Sequence, residues 1–192
     1  RGVISPGDVQ WMTAGSGIVH QEMPKGDGKG RMGGFQLWAN LPASHKMMDP
    51  RYREVKKEQI PEVTLNGGAF VKIVSGRVNG VQGPVQDIVT DPEYLDVTLP
   101  ANAVFHHPVK RGHTAFAYVI EGSGFFDPER DPFVRDAVGR GYFDMERKCP
   151  CATETLVLYG DGDEVTVSAE ETPVRFLFAS GEPIGEKVAW YG

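Results

Sequence analysis

The sequence has little cysteine, no excess of positive charge and no long apolar run, and each shortage closes off a class of protein. Two cysteines in 192 residues, Cys149 and Cys151, cannot form a disulfide framework. Their C-P-C spacing is not the C-x-x-C of a zinc or redox site either, so they read as the thiols of a reducing, cytosolic compartment. With 20 basic against 26 acidic residues the formal charge is −6, which argues against direct nucleic-acid binding, since such a protein needs a basic face. No apolar stretch approaches the ~18 residues of a membrane-spanning helix, and no charged-then-apolar leader pattern is present, so no membrane partner is expected. Nor is there an initiator methionine. The chain enters directly at Arg1-Gly2-Val3-Ile4, as expected of a piece of a longer protein.

What the chain does have is turns. Its 24 glycines and 14 prolines fit many short strands joined tightly, and they disfavour a helical bundle. Residues 35–41 alternate, with Phe35, Leu37, Ala39 and Leu41 on one face and Gln36, Trp38 and Asn40 on the other, the pattern of a half-buried strand. Residues 18–23 are a second strand candidate. A helix is expected from Asp49, an N-cap, through Pro50 and on to Val55, ending before Ile60-Pro61. Further strands are expected at 70–74, 95–99, 115–120, 156–159, 165–167 and 174–178, with a turn at Gly160-Asp161-Gly162-Asp163. Strands at this spacing indicate an all-β barrel or sandwich. Residues 127–154 are polar, and longer than a hairpin needs, so they read as an excursion.

Candidate chemistry is concentrated at Gly17-Ile18-Val19-His20-Gln21-Glu22-Met23. Residues two apart on a strand share a face, so His20 and Glu22 project together while Gln21 points away. An imidazole nitrogen beside a carboxylate oxygen suits a first-row transition metal, although an open catalytic centre needs at least three protein ligands. Taken alone, an H-x-E pair is more often solvated or hydrogen-bonded than metal-bound. His106-His107, before Pro108, and His113 read as polar loop residues, and His45 lies in a linker. Trp38, Met12, Met47 and Tyr52 are candidates to line an apolar pocket, with simple core packing the competing reading. No dinucleotide loop, phosphate loop or nucleophile elbow is present.

The run from Pro6-Gly7-Asp8-Val9-Gln10-Trp11-Met12 through Gly17-Ile18-Val19-His20-Gln21-Glu22-Met23-Pro24 resembles the signature of the pirin family. Gln36-Leu37-Trp38-Ala39-Asn40-Leu41, Lys46-Met47-Met48-Asp49-Pro50-Arg51-Tyr52, Tyr159-Gly160-Asp161-Gly162-Asp163 and Ser180-Gly181-Glu182-Pro183-Ile184 extend the likeness in order to the end of the chain. The resemblance implies tandem cupin β-barrels, a bicupin, of which the first is incomplete here. Residues 1–45 would be the C-terminal part of the metal-binding barrel, 46–66 a linker with a short helix, and 67–192 a second barrel without metal ligands. It further implies a metal, usually iron, held by three histidines and one glutamate. His20 and Glu22 match two of these four; the other two belong to an H-x-H strand expected upstream. In the second barrel the corresponding positions fall on Pro108, Lys110 and Thr114, none of them a usual ligand.

The function so implied is a quercetin 2,3-dioxygenase-like opening of flavonols by O₂. One iron or another first-row divalent metal, and no organic cofactor, would be required. Glu22 would act as ligand and as the catalytic base for the substrate's 3-hydroxyl, His20 as a neutral ligand, and Met12 and Trp38 as walls for a flat aromatic substrate. The same resemblance also implies a different class, a non-enzymatic iron-binding transcriptional co-regulator that acts through protein contacts, nuclear rather than cytoplasmic. One fold and one site serve both.

Overall fold

Short alternating segments separated by glycine-rich turns have one stable outcome, strands that pair at a distance and turn their apolar faces toward a shared core. The computed structural model describes residues 2–23, 25–30, 33–129 and 150–187. Its strands are β1 (Val9–Thr13), β2 (Arg51–Val55), β3 (Glu62–Thr64), β4 (Phe70–Ser75), β5 (Arg77–Val78), β6 (Val81–Gln82), β7 (Glu93–Leu99), β8 (Val104–Pro108), β9 (Thr114–Gly124), β10 (Cys151–Ala152), β11 (Leu156–Leu158), β12 (Glu164–Ser168) and β13 (Val174–Gly181). The chain is all-β, with helix limited among the described residues to single 3-10 turns at Ala43–His45 and Lys57–Gln59.

A seven-stranded sheet runs in the order β10-β9-β13-β7-β4-β3, with β11 also on β9. Facing its apolar side is the ribbon of β8 and β12. β13 is the central strand: Phe176 pairs with Val97 of β7 on one side and Val119 of β9 on the other. Ile73, Leu95, Leu99, Phe105, Phe176 and Phe178 are fully buried between the two layers. The rings of Phe105 and Phe126 meet the ring of Phe176 edge-on at 5.9 and 5.0 Å, the geometry aromatic pairs favour. Along β8 burial alternates, so Phe105 and His107 face the core while Val104 and His106 face out.

The N-terminal third departs from expectation in two places. The helix expected at 49–55 is strand β2, which pairs antiparallel with β1 from Thr13↔Arg51 to Val9↔Val55. A helix cap contributes on the order of 1 kcal/mol. A five-residue ladder that also buries Val55 against Ile60, Val74 and Val85, with Val9 and Trp11 packed alongside, outweighs it. The strands expected at 18–23 and 35–41 do not form: neither segment pairs with another strand among the described residues, and Val19, Met23 and Trp38 are 105%, 75% and 80% exposed. Alternation predicts a strand only where a neighbour supplies the ladder. Residues 33–45 instead touch the outside of the sheet, with Phe35 edge-on to Tyr118 at 5.5 Å and the Ala43 amide donating to the Glu186 carboxylate at 2.8–2.9 Å. The excursion expected at 127–154 lies largely outside the described residues, as does Cys149; Cys151 lies on β10.

Candidate functional site

His20 and Glu22 sit in extended chain just after β1 and do share a side. His20 Nε2 lies 4.0 Å from Glu22 Oε1, with the side chains 47% and 61% exposed. Two donors each about 2.1 Å from one ion stand roughly 3 Å apart at right angles and about 4.2 Å apart when opposite. The pair therefore fits as part of a first-row donor set. It does not complete one: among the described residues no three groups of His, Cys, Asp or Glu converge. Met12 is half-buried on β1, opposite Tyr52, and Trp38 is in the solvent-facing segment. Neither these two nor the His20–Glu22 pair lines the hollow at Ser75–Asp91 or the one at Val109–Thr166.

Of the histidines expected in loops, His113 does lie in the connection between β8 and β9, but His106 and His107 do not. His106 and His107 are consecutive on β8 and so point to opposite sides. His106 Nδ1 faces solvent, 3.1 Å from Glu164 Oε1 and 3.2 Å from Thr166 Oγ1 on the paired strand β12. His107 is 3% exposed and donates from Nε2 to Glu93 Oε2 at 2.8 Å. The same carboxylate oxygen accepts from Ser180 Oγ at 3.3 Å. Phe105 stacks on the imidazole at 5.7 Å and Phe178 meets it edge-on at 5.4 Å. A polar pair so deeply set is tolerated because each member satisfies the other. The alternation of Val104–Pro108 could have placed His107 inward. No spacing rule reaches from it to Glu93, which arrives by sheet topology. Of the positions corresponding to cupin ligands, Pro108 ends β8, Thr114 opens β9, and Lys110 Nζ stands 3.8 Å from Asp91.

The turns at one end of the barrel border a half-open hollow of about 170 Å³. The Gly160–Asp163 segment is a turn as its sequence indicates, pinned to the β8–β9 connection. Asp161 Oδ1 accepts from the Gly112 amide at 2.7 Å, and Asp163 Oδ2 from Arg111 Nη2 at 2.7 Å. The Arg111 contact holds the Asp163 carboxyl below the usual carboxylate range. Tyr159 enters from the end of β11, its amide donating to Ala115 O at 3.1 Å and its ring 6.4 Å from that of Phe178. Its hydroxyl is buried and has no hydrogen-bond partner among the described residues. Burial, reinforced by Cys151 and Asp127, pushes its pKa well above the usual tyrosine value, so it stays protonated.

An all-β chain whose strands close two layers over an aromatic core, with turns gathered at one end, has the architecture of a cupin domain. The crystal structure of a quercetin 2,3-dioxygenase from Acinetobacter baumannii matches it with a TM-score of 0.74 and 26% identity, over 97% of this chain and 59% of that one. The chain belongs to the pirin family. Residues 94–192 match the Pirin C-terminal cupin domain and residues 1–39 match Pirin. A pirin-like protein of Caulobacter vibrioides is 42% identical over 100% of this chain and 62% of its own length. Pirin-1 of Arabidopsis thaliana is 38% identical over 100% of this chain and 60% of its own. The chain thus spans about three fifths of the length of these relatives.

Proposed function

We propose that the chain is part of a metal-dependent pirin-type dioxygenase that opens a flavonol-like aromatic substrate with O₂, iron being the metal. The observation that carries this reading is the accessible pairing of an imidazole nitrogen with a carboxylate oxygen 4.0 Å away at His20 and Glu22. The likeness to the Acinetobacter baumannii quercetin 2,3-dioxygenase supports it. A bound first-row metal supplies a Lewis acid that orients an enolate oxygen and lowers the cost of its negative charge. His20 binds as neutral imidazole. Glu22 accepts the proton of the flavonol 3-hydroxyl at a carboxylate oxygen, which prepares that oxygen for binding. Met12 and Trp38 offer apolar surface to a flat ring system.

A second reading, an iron-binding co-regulator acting through protein contacts, draws on the apolar side chains left in solvent at Val19, Met23 and Trp38. The two separate in one experiment on the protein at its relatives' full length, with iron quantified by elemental analysis and quercetin followed by its visible absorption under air and under nitrogen. His20→Ala and Glu22→Ala are expected to lower iron occupancy at least about tenfold, the lower end of what losing even a ligand's outer support costs. Unchanged iron content in both variants overturns the ligand assignment. Iron-loaded protein that shows no oxygen-dependent loss of quercetin overturns the enzyme in favour of the co-regulator.

A further inference from the structure

The chain has four asparagines, and two of them, Asn66 and Asn79, precede glycine. An asparagine in that position has a chemistry of its own, because no side chain on the next residue keeps its backbone nitrogen from the asparagine's side-chain carbonyl. The fold treats the four differently. Asn40 Oδ1 accepts from Lys46 Nζ at 3.0 Å, and leucine follows it. After Asn102 the Ala103 amide is already donated to Pro100 O at 3.3 Å. Asn66 lies in a turn closed by Gly68 N to Leu65 O at 3.0 Å and Leu65 N to Ala69 O at 2.8 Å. Ala69 and Val71 are wholly buried beside it, and β3 and β4 pair over three residues. Asn79 and Gly80 instead form the tip between β5 and β6, a ladder of two pairs, Arg77↔Gln82 and Val78↔Val81. Both have positive φ, 47° and 80°, as a two-residue hairpin turn requires. From Arg77 to Gln82 only Val78 is buried, and a side chain added at Gly80 would meet nothing within 4 Å.

A hairpin tip carried on two pairs opens more readily than a turn set against the core. An open tip lets the Gly80 nitrogen reach the face of the Asn79 side-chain carbonyl, which the closed turn hinders. We propose that Asn79 is a site of spontaneous modification, deamidation to aspartate and isoaspartate, with water as the co-reactant. The Gly80 amide nitrogen gives up its proton and attacks Asn79 Cγ. The new N–C bond forms, the Cγ–Nδ2 bond breaks, and the side-chain nitrogen leaves as ammonia with that proton. One water then opens the five-membered imide. Entry at Cγ gives aspartate; entry at the Asn79 backbone carbonyl carbon gives isoaspartate, with the chain running through the side chain. Nothing is oxidised or reduced. Either product places a negative charge near Arg77, which already donates to Gly80 O at 3.3 Å and to Gln82 Oε1 at 2.6 Å. The isoaspartyl form also adds a methylene to the backbone of the turn, which disturbs the Val78↔Val81 pair. Val78 is 4% exposed and belongs to the main core, so the change reaches the barrel.

The test is a timed incubation of the 192-residue chain near neutral pH at body temperature, followed by peptide mapping with tandem mass spectrometry. Isoaspartate is counted separately by enzymatic methylation of its carboxylate. Conversion is expected at Asn79 before Asn66, with Asn40 and Asn102 unchanged over the same time. In concentrated urea the two Asn-Gly sites are expected to convert at equal rates, because the structure that separates them is gone. Asn79→Gly, which keeps a residue suited to positive φ, is expected to lose all methyl label at this turn and to keep it at Asn66. Conversion of Asn66 as fast as Asn79 in the folded chain, persistence of their order in urea, or an intact Asn79 once Asn66 has converted would each overturn the proposal.

Discussion

Asp8 carries more of the chain's local order than its place in a Pro-Gly-Asp turn suggests. Its carboxylate accepts from the Ser5 amide at 2.9 Å, the Lys57 amide at 3.0 Å and Lys56 Nζ at 3.1 Å. Those backbone amides, then the Lys56 ammonium, lower its pKa from 3.8 to about 2. A depressed carboxyl stabilises the folded form above its unfolded pKa, and the contribution fades as pH falls through the folded value. Stability measured by urea unfolding should therefore decline between pH 3.8 and about 2, and Asp8→Asn should flatten that decline while lowering the midpoint at neutral pH. An unchanged acid limb in the variant would place the titration elsewhere. The residue also shows where sequence reading stops. The turn at Asp8 is legible, because Pro and Gly announce it. Its clasp on Lys56 and Lys57 is not, for the same reason that His107 gave no hint of Glu93: both partners are brought in by strand pairing far along the chain.

Most strands of the large sheet were readable from their alternation, while segments whose pairing is decided elsewhere in the chain were not. In the C-terminal half, periodicity and structure agree at β7, β9, β11, β12 and β13, whereas β8, read as loop from its histidines, and the two-residue β10 were not expected. Residues 18–23 and 35–41 have the same periodicity and no ladder, and 51–55 has a helix start overridden by pairing with β1. One glycine is decisive at this scale. Gly122 lies inside β9 with φ +77, opposite Val174 and next to the register shift in β13 between Arg175 and Phe176. A Cβ there would run into the carbonyl oxygen of Pro173. Gly122→Ala should destabilise the fold by about 1–3 kcal/mol, the range for a side chain forced into strained backbone, read from the urea midpoint. Wild-type stability in that variant would mean that the bulge relaxes freely.

At the scale of the molecule, the density of turns and the absence of long helical periodicity were enough to give an all-β chain, and the first forty residues were enough to suggest the family. The site was legible only in part. His20 and Glu22 were visible as a pair because they are two apart, whereas the half-open hollow beside Tyr159 is assembled from three turns that share no motif. The pairing of β1 with β2 has a consequence for the whole chain. Residues 14–50, which include His20 and Glu22, are held at both ends by a single ladder whose far side rests on Val74 and Val85. Trypsin cutting at the exposed Lys25 or Lys29 should therefore give two peptides that co-elute in gel filtration and separate only in denaturant; separation in native buffer would show that the ladder does not hold by itself. A break in the covalent chain at that point is expected not to divide the molecule: the candidate metal pair lies on an excursion closed at its base by the β1–β2 ladder and tied again to the rest of the chain at Phe35 and Ala43, so its place is secured by contacts and not by chain continuity alone.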